Sequence, residues 1–201
     1  MRVLSPSAVK GWLCLVSLVY LVLIWACDHF PTQDGPSHVY NTWALRHLDA
    51  ESIFGRFYQS HWSLVPNWLG GALLYVLMGM LGPLAAQQML ITIIFLVFVT
   101  GFAHLVKCHS KELPPIAMLG PVLIMSFPLH MGFFSFCLGL SMVPWVWSLA
   151  YRARKNINNT YLKVMVCLLV LGFLAHVLAL CAMLMGLFVM MLTPGGLVDK
   201  K

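Results

Sequence analysis

The chain has 201 residues, of which 61% are hydrophobic and 9% are charged, and its mean hydropathy is +0.88. Soluble domains carry about a quarter charged residues, so this composition excludes a soluble globular protein. It predicts an all-α, polytopic transmembrane bundle of about six or seven helices, because each crossing needs about 20 residues. The formal net charge of +6 does not indicate nucleic-acid binding, since the twelve Lys and Arg are dispersed between hydrophobic runs.

The first hydrophobic run, residues 11–26, predicts the first transmembrane helix. Arg2 and Lys10 precede it, and basic residues normally mark the cytoplasmic end of a crossing. A basic segment before an apolar run also occurs in signal peptides, but Trp25 is too bulky for a lipoprotein cleavage box, and further spans follow. We therefore expect an uncleaved helix in a multi-pass protein of the bacterial inner membrane, with a cytoplasmic N-terminus.

Charge divides the remainder of the chain into one external loop and a helical region. Residues 28–65 contain two arginines against four acidic residues. This stretch is therefore predicted to be an extracytoplasmic loop that contains an amphipathic helix. Residues 66–192 would supply the remaining transmembrane helices, so that residues 1–201 form a single integral membrane domain. The apolar runs of this region are 66–81, 84–106, 113–127, 132–151 and 162–192.

For two of these runs, 66–81 and 162–192, the sequence allows more than one path across the membrane. Basic residues near Lys107 and from Arg152 to Lys163 mark the cytoplasmic side, so an odd number of crossings must separate the loop from Lys107. Either the short run 66–81 is a partial or re-entrant helix, which we favour, or the positive-inside rule fails locally. The run 162–192 exceeds a normal span and predicts either one tilted helix or two short helices that meet near His176.

Polar chemistry is concentrated in the loop segment FPTQDGPSHVYNTWALRHL, residues 30–48. Gly35-Pro36 predicts a helix start, because proline suits the first helical position. Asp34 precedes that start, where the positive end of the helix dipole favours an ionised carboxylate. His38 follows four residues later, so the two side chains could share a proton or a metal if the first turn reaches back to Asp34. The alternative is that Asp34 only caps the helix and His38 is a solvated surface histidine.

The same helix carries a predicted interfacial face. Residues at three- and four-residue spacing would lie together at the membrane surface, while Asn41, Arg46 and Asp49 face water or a pocket. The residues of this face are Tyr40, Trp43, Ala44, His47 and Leu48.

The histidines and cysteines of the chain are candidate metal ligands, but their spacing forms no metal-binding motif. Four of the eight histidines lie in the loop: His29, His38, His47 and His61. None forms HxxxH or HxH, and the six cysteines show no CxxC spacing, so no complete motif supports a divalent metal and the cofactor stays unknown. His104 and His176 lie in or near apolar spans, where we expect structural roles.

Three segments resemble the N-terminal part of the GT-C superfamily, the polytopic glycosyltransferases that use lipid-phosphate sugars. Members include protein O-mannosyltransferases and aminoarabinose transferases. The first segment, TQDGPSHVYNTWALRHL, resembles the acidic motif and juxtamembrane helix of the first external loop. LVPNWLGGALLYVLMGMLGP, residues 64–83, is similar to the proline-rich entry to the next hydrophobic segment. FPLHMGFFSFCLGLSMVPWVW, residues 127–147, is similar to the segment that contains the second external loop.

The resemblance implies transfer of a sugar from a polyprenyl-phosphate donor to an acceptor hydroxyl at the outer face of the membrane. Asp34 stands at the position of the catalytic acid and would act as the base. Many members have a second acid in the second loop, whereas this chain has only His130 there, so a two-acid metal site is not carried over. Cationic or N–H partners for the substrate would come from Arg46, Arg56 and the loop histidines His38 and His61, with His130.

Relatives of this kind commonly continue through several more helices. We therefore expect a truncated product, a fragment, or half of an assembly in which a partner subunit supplies the missing helices. Membrane lipids and the lipid-linked donor are the other expected partners. The alternative function is a non-catalytic polytopic membrane protein that acts as a scaffold, a lipid-binding subunit or a transporter-like subunit.

Overall fold

The computed structural model describes residues 5–49, 52–60, 63, 65–156 and 158–193. These residues form an all-α helical bundle without strands, which confirms the predicted fold class. The helices are α1 Pro6–Ala26, α2 Gly35–Arg46, α3 Ile53–Phe57, α4 Leu69–Leu81, α5 Pro83–Lys107, α6 Gly120–Ile124, α7 Phe127–Met131, α8 Phe134–Lys155, α9 Asn159–Ala175 and α10 Val177–Leu192. A 3-10 segment, Pro115–Leu119, precedes α6.

Three helices, α1, α5 and α8, are long and apolar enough to cross a membrane. They have 21, 25 and 22 residues, and at about 1.5 Å per residue each reaches the thickness of the hydrocarbon layer, about 30 Å. The core lies mainly between α5 and α8, where Phe95, Leu138 and Val146 are buried. Tyr20 of α1 packs on Phe95 with a ring separation of 5.8 Å.

The bundle has two ends of different character, which we call the loop end and the basic end. At the loop end, the indole of Trp25 donates a hydrogen bond to Thr92 across 3.0 Å, so the end of α1 lies beside the first half of α5. At the basic end, His109 and Tyr151 pack with a ring separation of 4.2 Å, so α5 and α8 finish together. Lys107 therefore lies at the same end as the basic residues that close α8.

Helix α4 begins and ends at the loop end. Gly70 N–H, in its first turn, donates to Ser135 Oγ across 3.1 Å at the start of α8. Its last residue is followed by Gly82, at φ 79°, which turns the chain directly into Pro83 of α5. Its 13 residues span only about 20 Å, less than the hydrocarbon layer. These contacts agree with the partial helix predicted for residues 66–81, with α5 alone carrying the chain to the basic end.

We expected the apolar run 113–127 to form a transmembrane helix, but it does not form one continuous helix. It breaks into the 3-10 segment, α6 and α7, and each piece has a proline in its first turn. Pro115, Pro121 and Pro128 have no N–H to continue a preceding helix, and their rings clash with it, so each one starts a new piece. The pieces follow the bundle from the turn after α5 to the loop end, with Ile124 and Leu129 buried.

The run 162–192 forms two helices that meet at His176, which confirms the second of the two predicted arrangements. His176 has extended backbone angles, and its Nδ1 accepts a hydrogen bond from Leu178 N–H across 3.2 Å, so it caps α10. Arg154, in the last turn of α8, donates to the carbonyls of Met190 and Thr193, each at 2.6 Å. The end of α10 therefore returns to the basic end, and α9 with α10 forms a hairpin whose tip lies toward the loop end.

Candidate functional site

Asp34 is held at the loop end by a backbone pairing between two distant segments. Gln33 N–H donates to the carbonyl of His130 across 2.9 Å, and Asp34 N–H donates to the carbonyl of Met131 across 3.0 Å. The first segment precedes α2 and the second ends α7. The acidic loop and the second loop of the sequence are therefore in direct contact, although nothing in their spacing predicts a pairing of main-chain atoms.

Gly132 makes this close approach possible. Its φ of 87° is in the left-handed region, where a side chain is strained. A Cβ atom built on it would lie 2.7 Å from the backbone N of Gly35 and 3.1 Å from the backbone N of Asp34. The turn can therefore support Asp34 only while residue 132 has no side chain.

Asp34 occupies the N-cap position of α2, but its side chain makes no capping hydrogen bond. The carbonyl of Asp34 accepts the N–H of His38 across 3.1 Å, so the helical hydrogen-bond ladder begins at Asp34. The His38 ring packs near Phe134, with a ring separation of 5.6 Å, and His38 is exposed. The half-buried carboxylate of Asp34 thus stands at the positive end of α2 without serving as its cap.

His130 reaches the acidic loop through its ring as well as its carbonyl. Its Nδ1 lies 3.3 Å from the carbonyl oxygen of Pro31, and its ring stacks on Phe30 at 5.8 Å. Phe30 is buried, so the stacking anchors the start of the acidic loop. The structure therefore brings His130 to the Asp34 loop.

The two arginines have different surroundings. Arg46 donates from Nη1 to the carbonyl of Tyr75 across 2.9 Å, and its guanidinium lies 4.7 Å from the centre of the Tyr75 ring. These contacts tie the end of α2 to α4. Arg56, in the last turn of α3, is exposed. His61, the remaining predicted substrate-binding residue, lies outside the described residues.

Only part of the predicted interfacial face of α2 is exposed: Tyr40 and Trp43 are exposed, whereas Ala44 is buried. Ala44 is buried, and so is Thr42, so the assignment of Ala44 to the interfacial face was wrong. Adjacent helical residues are rotated by about 100°, and the packing of α2 on α4 and α5 selects Thr42 and Ala44 for burial. Trp43 points elsewhere and packs edge-on against Phe54 of α3 at 5.2 Å.

Tyr40 and Tyr58 link α2 to the segment after α3. Phe54 lies between them, with ring separations of 6.4 Å to each. A side-chain hydrogen bond with Tyr58 raises the pKa of Tyr40 above its ordinary value, because it favours the neutral phenol. Nearby charge on Tyr58 and partial desolvation act in the same direction. The ring contacts through Phe54 therefore connect the outer surface of α2 to the segment that follows α3.

A cavity of about 680 Å³ lies at this end between α2, the segment after α3, and α4. We call it the α2–α4 cavity, and its volume is typical of small-molecule sites. Its lining residues are His38, Asn41, Thr42, Ala44, Leu45, Leu48, Tyr58, Gln59, Ser60, Ser63, Val65, Trp68, Gly71, Ala72, Tyr75 and Val76. Asn41 thus faces a pocket, as predicted, whereas nothing in the sequence indicated that Trp68, Tyr58 and Gln59 belong to one site.

Trp68 is held in place in the wall of the cavity. Its backbone N–H donates to the carbonyl of Leu174 across 3.2 Å. Asn67 before it has a φ of 73°, which asparagine tolerates better than most residues. The indole Nε1 of Trp68 is buried and has no hydrogen-bond partner among the described residues. The Pro66-Asn67 turn signal ahead of α4 is the sequence feature that could have drawn attention to Trp68.

A second cavity of about 300 Å³ lies on the other side of α2, where Pro36, Tyr40 and Gln87 are among its lining residues. Asp34 lines neither cavity. Within the described part of the chain, no group of three or more His, Cys, Asp or Glu side chains could hold a metal ion. The site therefore has two parts beside α2. One is the carboxylate of Asp34 on the paired loop at the start of this helix, and the other is the neighbouring α2–α4 cavity, which His38 of the same helix lines.

Comparison of the chain with protein-family models, curated proteins and solved structures gave no match. The fold and the apolar helices define the class as an all-α helical membrane protein.

Proposed function

We propose that the chain is a membrane glycosyltransferase-like protein of the GT-C kind, which transfers a sugar from a polyprenyl-phosphate carrier to an acceptor hydroxyl. The loop end would face the outside of the bacterial inner membrane, and the N-terminus would be cytoplasmic. The observation that carries the proposal is the pairing of the Asp34 loop with the His130–Gly132 turn. This pairing holds Asp34, whose carboxylate makes no capping hydrogen bond to α2, at the end of the bundle opposite the basic residues.

Asp34 is the general base in this proposal. An ionised carboxylate takes the proton of the acceptor hydroxyl while the oxygen attacks the anomeric carbon. The bond between that carbon and the phosphate oxygen breaks, and the lipid phosphate leaves with the electron pair.

Partners for the leaving phosphate come from the same end of the bundle. Arg46 commits one N–H to Tyr75, and a guanidinium has five donors, so others remain for a phosphate oxygen. Arg56 and His38 are exposed, and His61 and His130 complete the proposed substrate-binding set. Membrane lipids and a partner subunit with further helices are the proposed surroundings of this site.

The test compares sugar transfer in membranes that contain the natural chain, Asp34→Asn or Asp28→Asn. Polyprenyl-phosphate sugars are the donors, and Asp28 is the matched control, because it is an exposed acid of the same loop. We expect Asp34→Asn to lower the rate by about 10²- to 10⁴-fold, as expected for loss of a general base, and Asp28→Asn to retain it. Equal rates for the natural chain and Asp34→Asn would remove Asp34 from the mechanism.

The second candidate function is a non-catalytic membrane protein that acts as a scaffold, a lipid-binding subunit or a transporter-like subunit. The separation of Asp34 from both cavities favours it, since a base must reach its substrate. Ligand binding without any Asp34-dependent transfer is the result that this candidate predicts.

A further inference from the structure

We propose that the α2–α4 cavity binds an uncharged amphiphile that carries several hydroxyl groups, such as a lipid with a neutral sugar or polyol headgroup. This inference goes beyond the proposed transfer reaction and does not depend on Asp34, which lies outside the cavity. It rests on the kinds of side chain in the lining and on the position of the cavity in the bundle.

The polar part of the lining consists of neutral hydrogen-bonding groups. Besides His38, the polar side chains are the amides of Asn41 and Gln59 and hydroxyls of serine, threonine and tyrosine. No Lys, Arg, Asp or Glu occurs among the described lining residues. Phosphate recognition relies on cationic or strongly donating partners, so the described lining suits hydroxyl groups better than a phosphate.

Three aromatic residues add flat apolar surface beside the polar groups of the cavity. They are Tyr58, Trp68 and Tyr75, and this combination accepts a molecule with one wet and one apolar side.

The location of the cavity indicates a ligand with an apolar part. One wall is α4, whose run LGGALLYVLMGML has no charged residue, and Ala72 and Val76 of this helix line the cavity. The other walls belong to α2 and the segment after α3, which carry the polar groups. Helix α4 is too short to cross the hydrocarbon layer and stays at the loop end. The cavity therefore has one apolar wall, from α4, and polar walls from α2 and the segment after α3.

The chain offers a matched pair of glycines for a test of occupancy. Gly71 lines the cavity on α4, and a Cβ built on it meets no atom within 4 Å, so Gly71→Phe can place a ring in the cavity without a backbone clash. Gly11 on α1 has equally open space but lies outside the cavity, so Gly11→Phe is the control for the added ring.

The experiment measures photo-crosslinking of two probes to the protein in phosphatidylcholine nanodiscs, with the labelled peptides identified by mass spectrometry. The probes are an alkyl glucoside and an alkyl phosphate that carry the same photoactivatable chain. We expect saturable glucoside labelling of residues 58–76, lowered at least about tenfold by Gly71→Phe. Gly11→Phe should label like the natural chain.

Two results would overturn the proposal. One is glucoside labelling of residues 58–76 that Gly71→Phe leaves unchanged, because the probe would then bind elsewhere on the surface. The other is preferential labelling of this segment by the alkyl phosphate, which would make the cavity an anionic-lipid site. Neither result bears on Asp34, whose role is judged by the transfer assay alone.

Discussion

The main-chain N–H of Asp34 donates a hydrogen bond to the carbonyl oxygen of Met131 across 3.0 Å. This bond joins the segment before α2 to the end of α7, two parts of the chain that the core helices α4 and α5 separate in sequence. It fixes the backbone of the proposed base without using its carboxylate. The position of Asp34 therefore depends on the turn at Gly132 as much as on α2.

We predict that Gly132→Ala lowers the free energy of unfolding by more than backbone strain alone. A residue with a side chain at φ 87° and ψ 17° carries strain of about 1–3 kcal/mol. The new Cβ would also lie 2.7 Å from the backbone N of Gly35, which follows Asp34. Denaturant unfolding measures the loss, and a loss of about 1 kcal/mol or less would mean that the contact with the Asp34 segment is unimportant.

The adjacent glycines at the start of α4 should respond in opposite ways to alanine. A Cβ at Gly70 would lie 2.6 Å from Ser135 Oγ and 2.9 Å from its backbone N, so Gly70→Ala should cost about 1–3 kcal/mol through overpacking. Gly71 has open space, and alanine favours the helix by about 0.5–1 kcal/mol. Denaturant unfolding of the two variants measures these changes, and a stable Gly70→Ala would contradict the packing of α4 on α8.

His176 should be replaceable by another capping residue. His176→Ala removes the acceptor for Leu178 N–H and should cost about 1 kcal/mol, whereas His176→Asn should retain most of the stability. Unfolding free energies of the two variants provide the measurement. Equal destabilisation by both would indicate that packing of the ring on Phe136, at 5.2 Å, is the larger contribution.

Tyr58→Phe should lower the pKa of Tyr40 toward its ordinary value of 10.0. In the natural chain the raised pKa means that the folded state holds the Tyr40 proton more tightly than the unfolded state. The resulting stabilisation is therefore complete below pH 10 and is lost as pH rises through the raised pKa. Titration by NMR of isotope-labelled tyrosine, with Tyr40→Phe to assign the signal, would test this, and an unchanged Tyr40 titration in Tyr58→Phe would contradict it.

Helix content and the main breaks followed from local sequence. Long apolar runs predicted α1, α5 and α8, Gly35-Pro36 predicted the start of α2, and the excessive length of run 162–192 indicated the break at His176. These features depend on residue type and spacing over one or two helical turns, which a sequence displays directly.

Features that depend on contacts between distant segments could not be predicted in this way. The division of run 113–127 is a different case, because the prolines that divide it are local signals that its high hydropathy outweighs. The α2–α4 cavity depends on the position of Trp68. Leu174 accepts the backbone N–H of Trp68, and Ser135 of α8 accepts the N–H of Gly70 in the adjacent first turn of α4. Such positions result from packing of helices that are far apart in sequence, for which hydropathy gives no information.

The side of the membrane on which Asp34 lies is the premise of the whole account, and two serines allow a direct measurement. Ser37, in the first turn of α2, and Ser110, after α5, are both exposed. Ser37→Cys and Ser110→Cys, each in a chain whose six natural cysteines are replaced, would be labelled in oriented membrane vesicles with a membrane-impermeant thiol reagent. We expect labelling from opposite sides, with Ser37→Cys reacting from the outer face; labelling of Ser37→Cys from the cytoplasmic face, or of both from one face, would contradict the account.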